Sequence, residues 1–323
     1  MAKWSKADMP SQKGRSAVVT GTGGLGYETA LALAKAGGDV IIVGRDPEKG
    51  ADAVARIRRE EPFADVTFKQ ADLADLRSVA HLGERLADQR DSLDLLVNNA
   101  GVMTPPKRRE TIDGFELQLG TNYLGHFALT AHLLPLLRNG RDARVVTLSS
   151  IAARGGEIDF DDLNATKGYK PMPVYSQSKL ACLMFAFELQ RRSEAGGWGL
   201  ASMAAHPGIS RTDLLHNGSG RWSGAGLARS LLWFLFQPPA QGALPTLFAA
   251  TSREARPGGY YGPDRLSETR GRPAPSKIPP QAADAPAAAR LWDLSEQLTG
   301  VRFPTESSDA PADLAAARQL RAV

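Results

Sequence analysis

The chain has 323 residues, of which 42% are hydrophobic and one is cysteine, and its 39 basic and 35 acidic side chains give a formal charge of +4. This apolar content is enough for a buried core and excludes a mainly disordered protein. The lone Cys182 excludes an internal disulfide and a cysteine-rich metal site, which favours a reducing compartment. The length corresponds to one large domain or two small ones.

The excess positive charge lies at the N-terminus. Residues 1–15 carry four basic side chains and one acidic one, so the remainder is close to neutral and we expect no nucleic-acid partner. The N-terminus is polar, without an apolar segment behind its lysines, so we expect no secretory signal and a cytoplasmic location. The most apolar stretch, Leu231–Phe236, is far shorter than the roughly 20 residues of a membrane span. We therefore expect no integral membrane helix, although this stretch is compatible with contact at a membrane surface.

Short aliphatic segments alternate along the chain with longer segments of helical period. The predicted strands are Ser16–Thr20, Asp39–Val43, Val66–Gln70, Leu93–Val97, Arg144–Leu148, Leu200–Ala204 and Gly259–Tyr261. The predicted helices are Gly26–Ala36, Pro47–Arg59, Leu76–Gln89, Phe115–Leu137, Tyr175–Glu194 and Ala240–Ala250. Apolar strands that alternate with helices indicate a parallel sheet covered on both faces. We predict a doubly wound, mostly parallel α/β sheet of Rossmann type, with about seven strands.

The domain organisation follows from where this alternation starts and stops. We predict a flexible N-terminal segment over residues 1–12, a single Rossmann-type domain over residues 13–262 and a tail over residues 263–323. Within the tail, Pro273–Ala289 contains five prolines and seven alanines, a composition typical of an extended linker. Helical spacing at Ala287–Leu298 predicts a short C-terminal helix, and we expect the last residues, Glu306–Val323, to be frayed or weakly helical.

A glycine-rich turn, TGTGGLG at Thr20–Gly26, follows the first predicted strand and precedes the first helix. Its glycines match G-x-G-x-x-G in the strand–turn–helix setting in which that motif binds a dinucleotide. Glycine allows the backbone to approach a pyrophosphate, and the helix N-terminus supplies free N–H donors. We therefore expect cofactor contacts from Gly21, Gly23, Gly24, Leu25 and Gly26. The alternative is a purely structural turn between strand and helix.

The second predicted strand ends at Gly44, Arg45 and Asp46. An acidic side chain at this place suits the ribose of NAD, whereas an arginine suits the 2′-phosphate of NADP. Asp46 is explained more simply as the N-cap of the next helix. Arg45 therefore favours NADP as the cofactor, with NAD as the alternative.

Four further clusters occur in order, each at a strand end or a helix start: Asn98–Gly101 (NNAG), Ser149–Ser150, Tyr175–Lys179 (YSQSK) and His206–Asp213 (HPGISRTD). With the glycine-rich turn, they resemble the motifs of the short-chain dehydrogenase/reductase family, from about residue 13 to about residue 262. Gly26–Ala30, Gly120–His126 and Gly258–Gly262 also resemble the retinol-dehydrogenase-like and WW-domain-oxidoreductase-like branch, although this chain contains no WW domain.

The chemistry of these residues agrees with that resemblance. Hydride transfer requires a group that moves a proton at the substrate oxygen. Tyr175 serves if its pKa, ordinarily about 10, is lowered, and the ammonium of Lys179 on the same helix face favours the phenolate. Ser150 would hold the substrate oxygen, with Ser149 as the alternative because neighbouring strand residues face opposite ways. The resemblance implies that Asn122 anchors a water linking Lys179 to solvent.

The resemblance also implies the remaining cofactor contacts. These would be Asp72 and Leu73 beside the adenine, Asn98, Ala100 and Gly101 along the ribose, Tyr175 and Lys179 at the nicotinamide ribose, and Pro207, Gly208, Ile209 and Thr212 at the carboxamide. One departure weakens the assignment of NADP. The glycine turn is one residue shorter than the usual family pattern and lacks the basic residue that often holds a 2′-phosphate, so the assignment depends on Arg45.

Several of these residues also have simpler interpretations. A Tyr and a Lys four residues apart are often ordinary helix-surface residues, and Asn122 can merely tie a bent helix to a strand. His126, His132 and His206 lack ligand spacing, so we expect packing or capping roles and no metal. Cys182 is expected to be an inert core thiol.

The segment Ile209–Gln237 follows the predicted carboxamide loop and is unusually apolar between residues 227 and 236. We interpret it as a substrate lid that favours a bulky, apolar alcohol or carbonyl. A packing helix, a dimer contact and a membrane contact are the alternatives. Ala152–Pro173 would form one wall of the substrate entrance, and the resemblance implies a homo-oligomer.

Two other functions compete with an oxidoreductase. A cofactor-binding sensor or scaffold on the same fold would need no proton relay, so the complete set of Ser150, Tyr175, Lys179 and Asn122 argues against it. A sugar-nucleotide epimerase is a weaker hypothesis, because its usual glycine spacing and larger C-terminal domain are not evident.

Overall fold

The computed structural model describes residues 4–210 and 237–304. The described residues form one sheet of eight strands in the order β3-β2-β1-β4-β5-β6-β7-β8. Its strands are β1 (Ser16–Thr20), β2 (Asp39–Gly44), β3 (Val66–Gln70), β4 (Leu95–Asn98), β5 (Arg144–Leu148), β6 (Ala201–Ala205), β7 (Tyr260–Arg265) and β8 (Arg270–Pro275). All neighbouring strands are parallel except β7 and β8, which are antiparallel. The predicted doubly wound α/β sheet is therefore confirmed, with one strand more than the sequence indicated.

Helices cover both faces of the sheet. They are α1 (Gly24–Lys35), α2 (Pro47–Glu60), α3 (Leu76–Gln89), α4 (Gly125–Arg138), α5 (Pro171–Gly196), α6 (Pro239–Gly242), α7 (Leu244–Thr251) and α8 (Ala285–Thr299). One hydrophobic core packs α3, α4, α5 and α8 against one face, and a second packs α1, α2 and α7 against the other. None of the helices within residues 4–210 and 237–304 has both the length and the apolar composition of a membrane span.

The strand order reverses between β1 and β4. The strands that follow β1 are added on one side of it, and the strands that follow β4 are added on the other side of the sheet. In doubly wound sheets this switch point opens a crevice at the carboxyl ends of the strands, where ligands bind. The glycine turn follows β1 and the NNAG segment follows β4, so both lie at this crevice. The fold thereby gathers motifs that are far apart in sequence.

The segment predicted as an extended linker, Pro273–Ala289, instead begins with the last residues of β8 and ends in the first turns of α8. β8 pairs with β7, and Pro273 lies opposite Pro263 in this register. Proline is tolerated here because β8 is an edge strand that does not need every N–H for the ladder. The predicted C-terminal helix is present as α8, and residues 305–323 lie outside the described part of the chain.

The N-terminal segment also differs from the prediction of a flexible tail. Trp4 is buried, and its ring packs edge to face on Phe248 of α7 at 5.5 Å. Lys6–Asp8 forms a short 3₁₀ turn, in which Asp8 accepts hydrogen bonds from Ser5. An aromatic side chain with a matching core position therefore fixes residues 4–8 on the domain.

Candidate active site

The glycine turn is shaped by backbone conformations and contacts that exclude side chains. Gly21 and Gly24 have φ values of +103° and +51°, in the region that favours glycine. A Cβ on Gly26 would lie 2.4 Å from the Gly21 carbonyl oxygen and 2.6 Å from Nδ2 of Asn99. Gly23 is the N-cap of α1, and Leu25 packs on the core from the first turn of that helix. The free N–H groups of α1 therefore open onto the crevice, as a pyrophosphate site requires.

Thr20 ties the glycine turn to the segment after β4. Its Oγ1 accepts hydrogen bonds from the N–H groups of Asn99 and Ala100, both at 2.9 Å. The same oxygen lies 2.9 Å from Nε2 of His126, a buried side chain. Asn98, by contrast, donates from Nδ2 to Oγ1 of Thr130 on α4, so its side chain is turned into the core. A ribose contact at position 98 would therefore come from the backbone.

A cavity of about 610 Å³ lies at the carboxyl ends of β2 and β3. Its lining consists of Arg45, Gln70, Asp72, Ser78, His81, Glu84 and Arg85. Asp72 accepts a hydrogen bond from the Ala74 N–H and shapes the loop, while the adjacent Leu73 is buried. Asp46 is occupied as the N-cap of α2, where it accepts from Glu48 and Lys49. Arg45 and Asp72 thus line the same cavity, and Asp46 is used elsewhere, as the sequence indicated.

Asn122 lies in a π-helical turn, Leu119–Leu124, that precedes α4. Its Oδ1 accepts from the Val102 N–H at 2.7 Å, and its Nδ2 donates to the Val102 carbonyl and to Oγ of Ser178 on α5. The backbone carbonyl oxygen of Asn122 accepts from Nδ1 of His126 and from the thiol of Cys182. Asn122 therefore joins the loop after β4 to both α4 and α5, which explains the irregular turn at this position.

Tyr175 and Lys179 are both buried, one turn apart near the start of α5. Nζ of Lys179 donates to the Leu148 carbonyl at 3.0 Å, at the end of β5. A Cβ placed on Gly101 would lie 2.9 Å from Oδ1 of Asn122 and 3.7 Å from Nζ of Lys179. The structure therefore gathers Gly101, Asn122 and Lys179 around one point of the crevice.

The two serines after β5 have different surroundings. Ser149 is buried, and its hydroxyl donates to the Lys179 carbonyl at 2.7 Å. Ser150 is half-buried and caps the 3₁₀ turn Ile151–Gly155 by accepting from the Ala152 N–H at 3.2 Å. An accepting hydroxyl can still donate its proton to a substrate oxygen. This difference favours Ser150 over Ser149 as the substrate-facing serine.

The segment after β6 is held against the turn between β7 and β8. Gly208 has a φ of +66°, and a Cβ at this position would lie 2.3 Å from the Thr269 carbonyl oxygen. The Ile209 N–H donates to that same oxygen at 2.8 Å. The Pro207 carbonyl accepts from Nε2 of Gln237, which lies at the far end of the predicted lid. Thr212 and most of that lid, residues 211–236, lie outside the described residues.

Sequence reasoning missed a polar tie at the entrance to the crevice. Oε1 of Gln118 accepts from the Thr104 N–H, and its Nε2 donates to the Pro171 carbonyl at the start of α5 and to the Tyr169 hydroxyl. Tyr169 in turn donates to the Pro105 carbonyl. This tie fixes the start of α5, and hence Tyr175, against the loop after β4. Its only sequence signal is that Gln118 precedes Asn122 by one helical turn.

Two buried ionisable groups beside the crevice, His126 and Cys182, are held neutral. Burial, together with the charge of Lys179, lowers the pKa of His126 to about 4, and the hydrogen bond to Asn122 only partly opposes this. Burial raises the pKa of the Cys182 thiol. Within the described ranges, no group of His, Cys, Asp and Glu has the arrangement of a metal site.

Comparison with known proteins places these features in context. The family model described as short chain dehydrogenase matches residues 15–220. Human retinol dehydrogenase 13 is 39% identical over 307 residues, which cover 93% of this chain and 88% of that protein. Mouse polyprenol dehydrogenase is 40% identical over 298 residues, covering 90% of this chain and 86% of that protein.

Solved structures show the same similarity. An uncharacterized protein from Mycobacterium paratuberculosis is 41% identical with a TM-score of 0.77, over 94% of this chain and 100% of that one. Pseudomonas aeruginosa RhlG, solved as an active-site complex with NADP, is 25% identical with a TM-score of 0.62, over 77% of this chain and 94% of that one.

Proposed function

Because this chain belongs to the short-chain dehydrogenase family and is an NAD(P)-dependent oxidoreductase acting on CH–OH groups, we propose that it uses NADP(H) to interconvert an apolar alcohol and its carbonyl compound. The proposal rests on one observation: Lys179 and Asn122 both lie close to Gly101 at the switch-point crevice, and Lys179 is one helical turn from the buried Tyr175. This is the arrangement that a proton-transferring tyrosine beside a cofactor needs.

The residues of the crevice fit a dinucleotide. The glycine turn excludes side chains where a pyrophosphate would approach, and the cavity at Arg45 and Asp72 offers room for an adenosine end. When bound, the nicotinamide ring supplies or accepts the hydride at the reacting carbon. We assign every other part of the reaction to side chains of this chain.

In this proposal, Tyr175 exchanges the proton of the substrate oxygen. Its phenolate accepts that proton when the alcohol is oxidised, and its phenol donates it when the carbonyl is reduced. Lys179, one helical turn further along α5, would hold the ribose at the nicotinamide end of the cofactor, as the resemblance implies. Ser150 donates a hydrogen bond to the substrate oxygen and so holds it in place.

Asn122 fixes the loop after β4 against α5, the helix that carries Tyr175 and Lys179. Its side chain is fully engaged by Val102 and Ser178, and its carbonyl already accepts from two donors. A relay water at this carbonyl, as the resemblance implies, would replace the Cys182 thiol, because S–H is the weaker donor. We therefore assign Asn122 a positioning role first and a relay role second.

We assign the preference for NADP to Arg45. Asp46 caps α2 and Arg45 is exposed at the rim of the adenosine cavity, so a 2′-phosphate would meet a cation there. Removal of a charge-assisted contact costs about 1.5–3 kcal/mol, or about ten- to a hundredfold in affinity. In Arg45→Ala we expect this loss for NADPH and little change for NADH, measured by fluorescence titration. Arg59→Ala, at an exposed position in the last turn of α2, is the control. Equal losses for both nucleotides would remove Arg45 from phosphate recognition.

The substrate class is inferred from the relatives. Retinol and polyprenol, the alcohols in the names of two relatives, are both long, apolar isoprenoid alcohols. Apolar side chains are also partly exposed beside the crevice: Met172, one turn before Tyr175, and Ile209, after β6. We propose an apolar primary alcohol and aldehyde of this kind as substrates.

A carbonyl panel with NADPH tests this proposal. Retinaldehyde and farnesal should be reduced with a kcat/KM well above that of glyceraldehyde, because only the apolar aldehydes gain from burial. A reversed order would contradict the apolar site. Tight NADPH binding with no turnover on any carbonyl would instead support a cofactor-binding sensor.

A further inference from the structure

Glu268 lies in the turn that joins β7 to β8, outside the family-matched residues 15–220 and outside every motif of the sequence. One of its carboxylate oxygens, Oε2, contacts two segments that reach it from different strands. Nη2 of Arg154 lies 2.6 Å from this oxygen, and Nε2 of His206 lies 3.0 Å from it. A single carboxylate therefore bridges the segment after β5 and the segment after β6.

The contact to His206 fixes the predicted carboxamide loop. The Gly208 N–H donates to Nδ1 of His206 at 3.2 Å, so the proton of this neutral ring is on Nε2 and is donated to Glu268. His206 is fully buried, and burial lowers its pKa even though Glu268 opposes the shift. The neutral ring thus acts as a rigid link from Glu268 to the backbone of Gly208.

The contact to Arg154 fixes the segment that begins with Ser150. Arg154 lies on the 3₁₀ turn that Ser150 caps, and its Nη1 also donates to the Ser267 carbonyl at 3.2 Å. Gln281 holds the same turn from the other side by donating to the carbonyls of Arg154 and Gly156. Ser150 therefore stands at the start of a turn that is fastened at its far end to Glu268.

The backbone around Glu268 is strained. Leu266, Ser267 and Glu268 have φ values of +49°, +54° and +66°, and none of them is glycine. Successive left-handed residues of this kind persist only where the surroundings over-determine them, and they are concentrated at functional sites. The ionised state of Glu268 is also held firmly. Partial burial disfavours the charge, yet hydrogen bonds from His206, the Lys277 N–H and Ser276 lower its pKa to about 2.

We propose that Glu268 is a positioning residue that sets the spacing between Ser150, which holds the substrate oxygen, and the Pro207–Ile209 loop, which holds the nicotinamide carboxamide. The inference rests on the proposed function, because the two segments are assigned to the substrate and the cofactor of that function. Hydride transfer depends steeply on how the two reactants are aligned, and a misplacement of 1 Å can cost about a hundredfold in rate. A charged bridge between the two segments is suited to keep that alignment.

The decisive experiment compares two nucleotides in the full-length protein. NADPH reaches the adenosine cavity, the glycine turn and the loop at Gly208, whereas 2′,5′-ADP has no nicotinamide and reaches the cavity and the glycine turn but not that loop. In Glu268→Ala we expect the Kd of NADPH to rise about tenfold and that of 2′,5′-ADP to change less than about twofold. Asp264→Asn is the matched control, because Asp264 is a carboxylate of the same hairpin that accepts from the Arg272 N–H. It should leave both affinities unchanged.

Arg154→Met tests the other end of the bridge and guards against a Glu268 variant that fails to fold. We expect it to reduce kcat for retinaldehyde about tenfold, and we expect the double variant with Glu268→Ala to lose little more, because both changes break the same link. A merely structural role would weaken NADPH and 2′,5′-ADP in parallel, or would lower the melting temperature and leave both affinities and kcat unchanged. Either result would overturn the proposal. If the wild type reduced no carbonyl, the proposed function would fail, and the binding comparison would still decide the role of Glu268.

Discussion

His126 makes the stability of this protein sensitive to mild acid. The imidazole is buried between Thr20 and Asn122, and it donates from Nδ1 to the Asn122 carbonyl. Burial lowers its pKa in the folded protein from 6.5 to about 4. Because the folded pKa lies below the unfolded one, the unfolded chain binds the proton more readily. The contribution to stability is full above about pH 6.5 and is lost as the pH falls toward about 4.

The magnitude follows from the two pKa values. Each pH unit between them changes the free energy of unfolding by about 1.4 kcal/mol. Because the unfolded chain takes up the His126 proton first, the free energy of unfolding should fall by about 2 kcal/mol from pH 7 to pH 5. His126→Gln keeps a donor and an acceptor of similar size and does not titrate. In urea unfolding followed by circular dichroism at constant ionic strength, the wild type should lose about 2 kcal/mol more than the variant over this range.

The comparison isolates His126, because the other buried histidines are the same in both proteins. His206 and His132 also have pKa values lowered by burial, and their contributions cancel in the difference. Parallel stability curves for wild type and His126→Gln would refute the reasoning, since they would show that His126 titrates alike in the folded and unfolded states.

Two further substitutions test the packing and the nucleotide site. Trp292→Ala removes a buried ring of α8 that packs on Phe127 and Phe185, with ring centroids at 5.0 and 5.7 Å. The free energy of unfolding should fall by about 3–5 kcal/mol, which calorimetry would record as a melting temperature about 5 °C lower. An unchanged transition would show that α8 does not stabilise the fold. Gly26→Ala forces the turn open, because the new Cβ would lie 2.4 Å from the Gly21 carbonyl oxygen, so NADPH and 2′,5′-ADP should both bind about tenfold more weakly in a fluorescence titration. Gly168→Ala, where a Cβ meets no atom within 4 Å, is its control, and equal affinities in all three proteins would exclude a nucleotide at this turn.

The sequence predicted the sheet well where local signals decide the structure. Val66–Gln70 and Arg144–Leu148 are strands at the predicted bounds, because each is a short segment that combines β-branched residues with another large apolar residue. The start of α2 was equally clear, since Asp46 and Pro47 are a typical cap and first residue. These signals depend on neighbouring residues only.

Features that depend on distant contacts were not predictable. β8 has the composition of a linker, and only its pairing with β7 makes its prolines those of an edge strand. Within the predicted helix Phe115–Leu137, the structure has a π-helical turn before α4, because the side chain of Asn122 accepts a hydrogen bond from the Val102 N–H. The roles of Ser149 and Glu268 depend on partners at positions 179, 154 and 206, which no local pattern indicates.

The assignment of Tyr175 as the proton-transferring group is the central claim, and one pair of proteins tests it most directly. Tyr175→Phe keeps the buried ring and removes only the hydroxyl, so NADPH should bind with nearly unchanged Kd. Oxidation of NADPH by retinaldehyde, followed by absorbance, should fall by about a hundredfold or more, since general acid–base catalysis contributes about 10²–10⁴-fold. Turnover equal to that of the wild type would contradict the account and remove Tyr175 from the reaction.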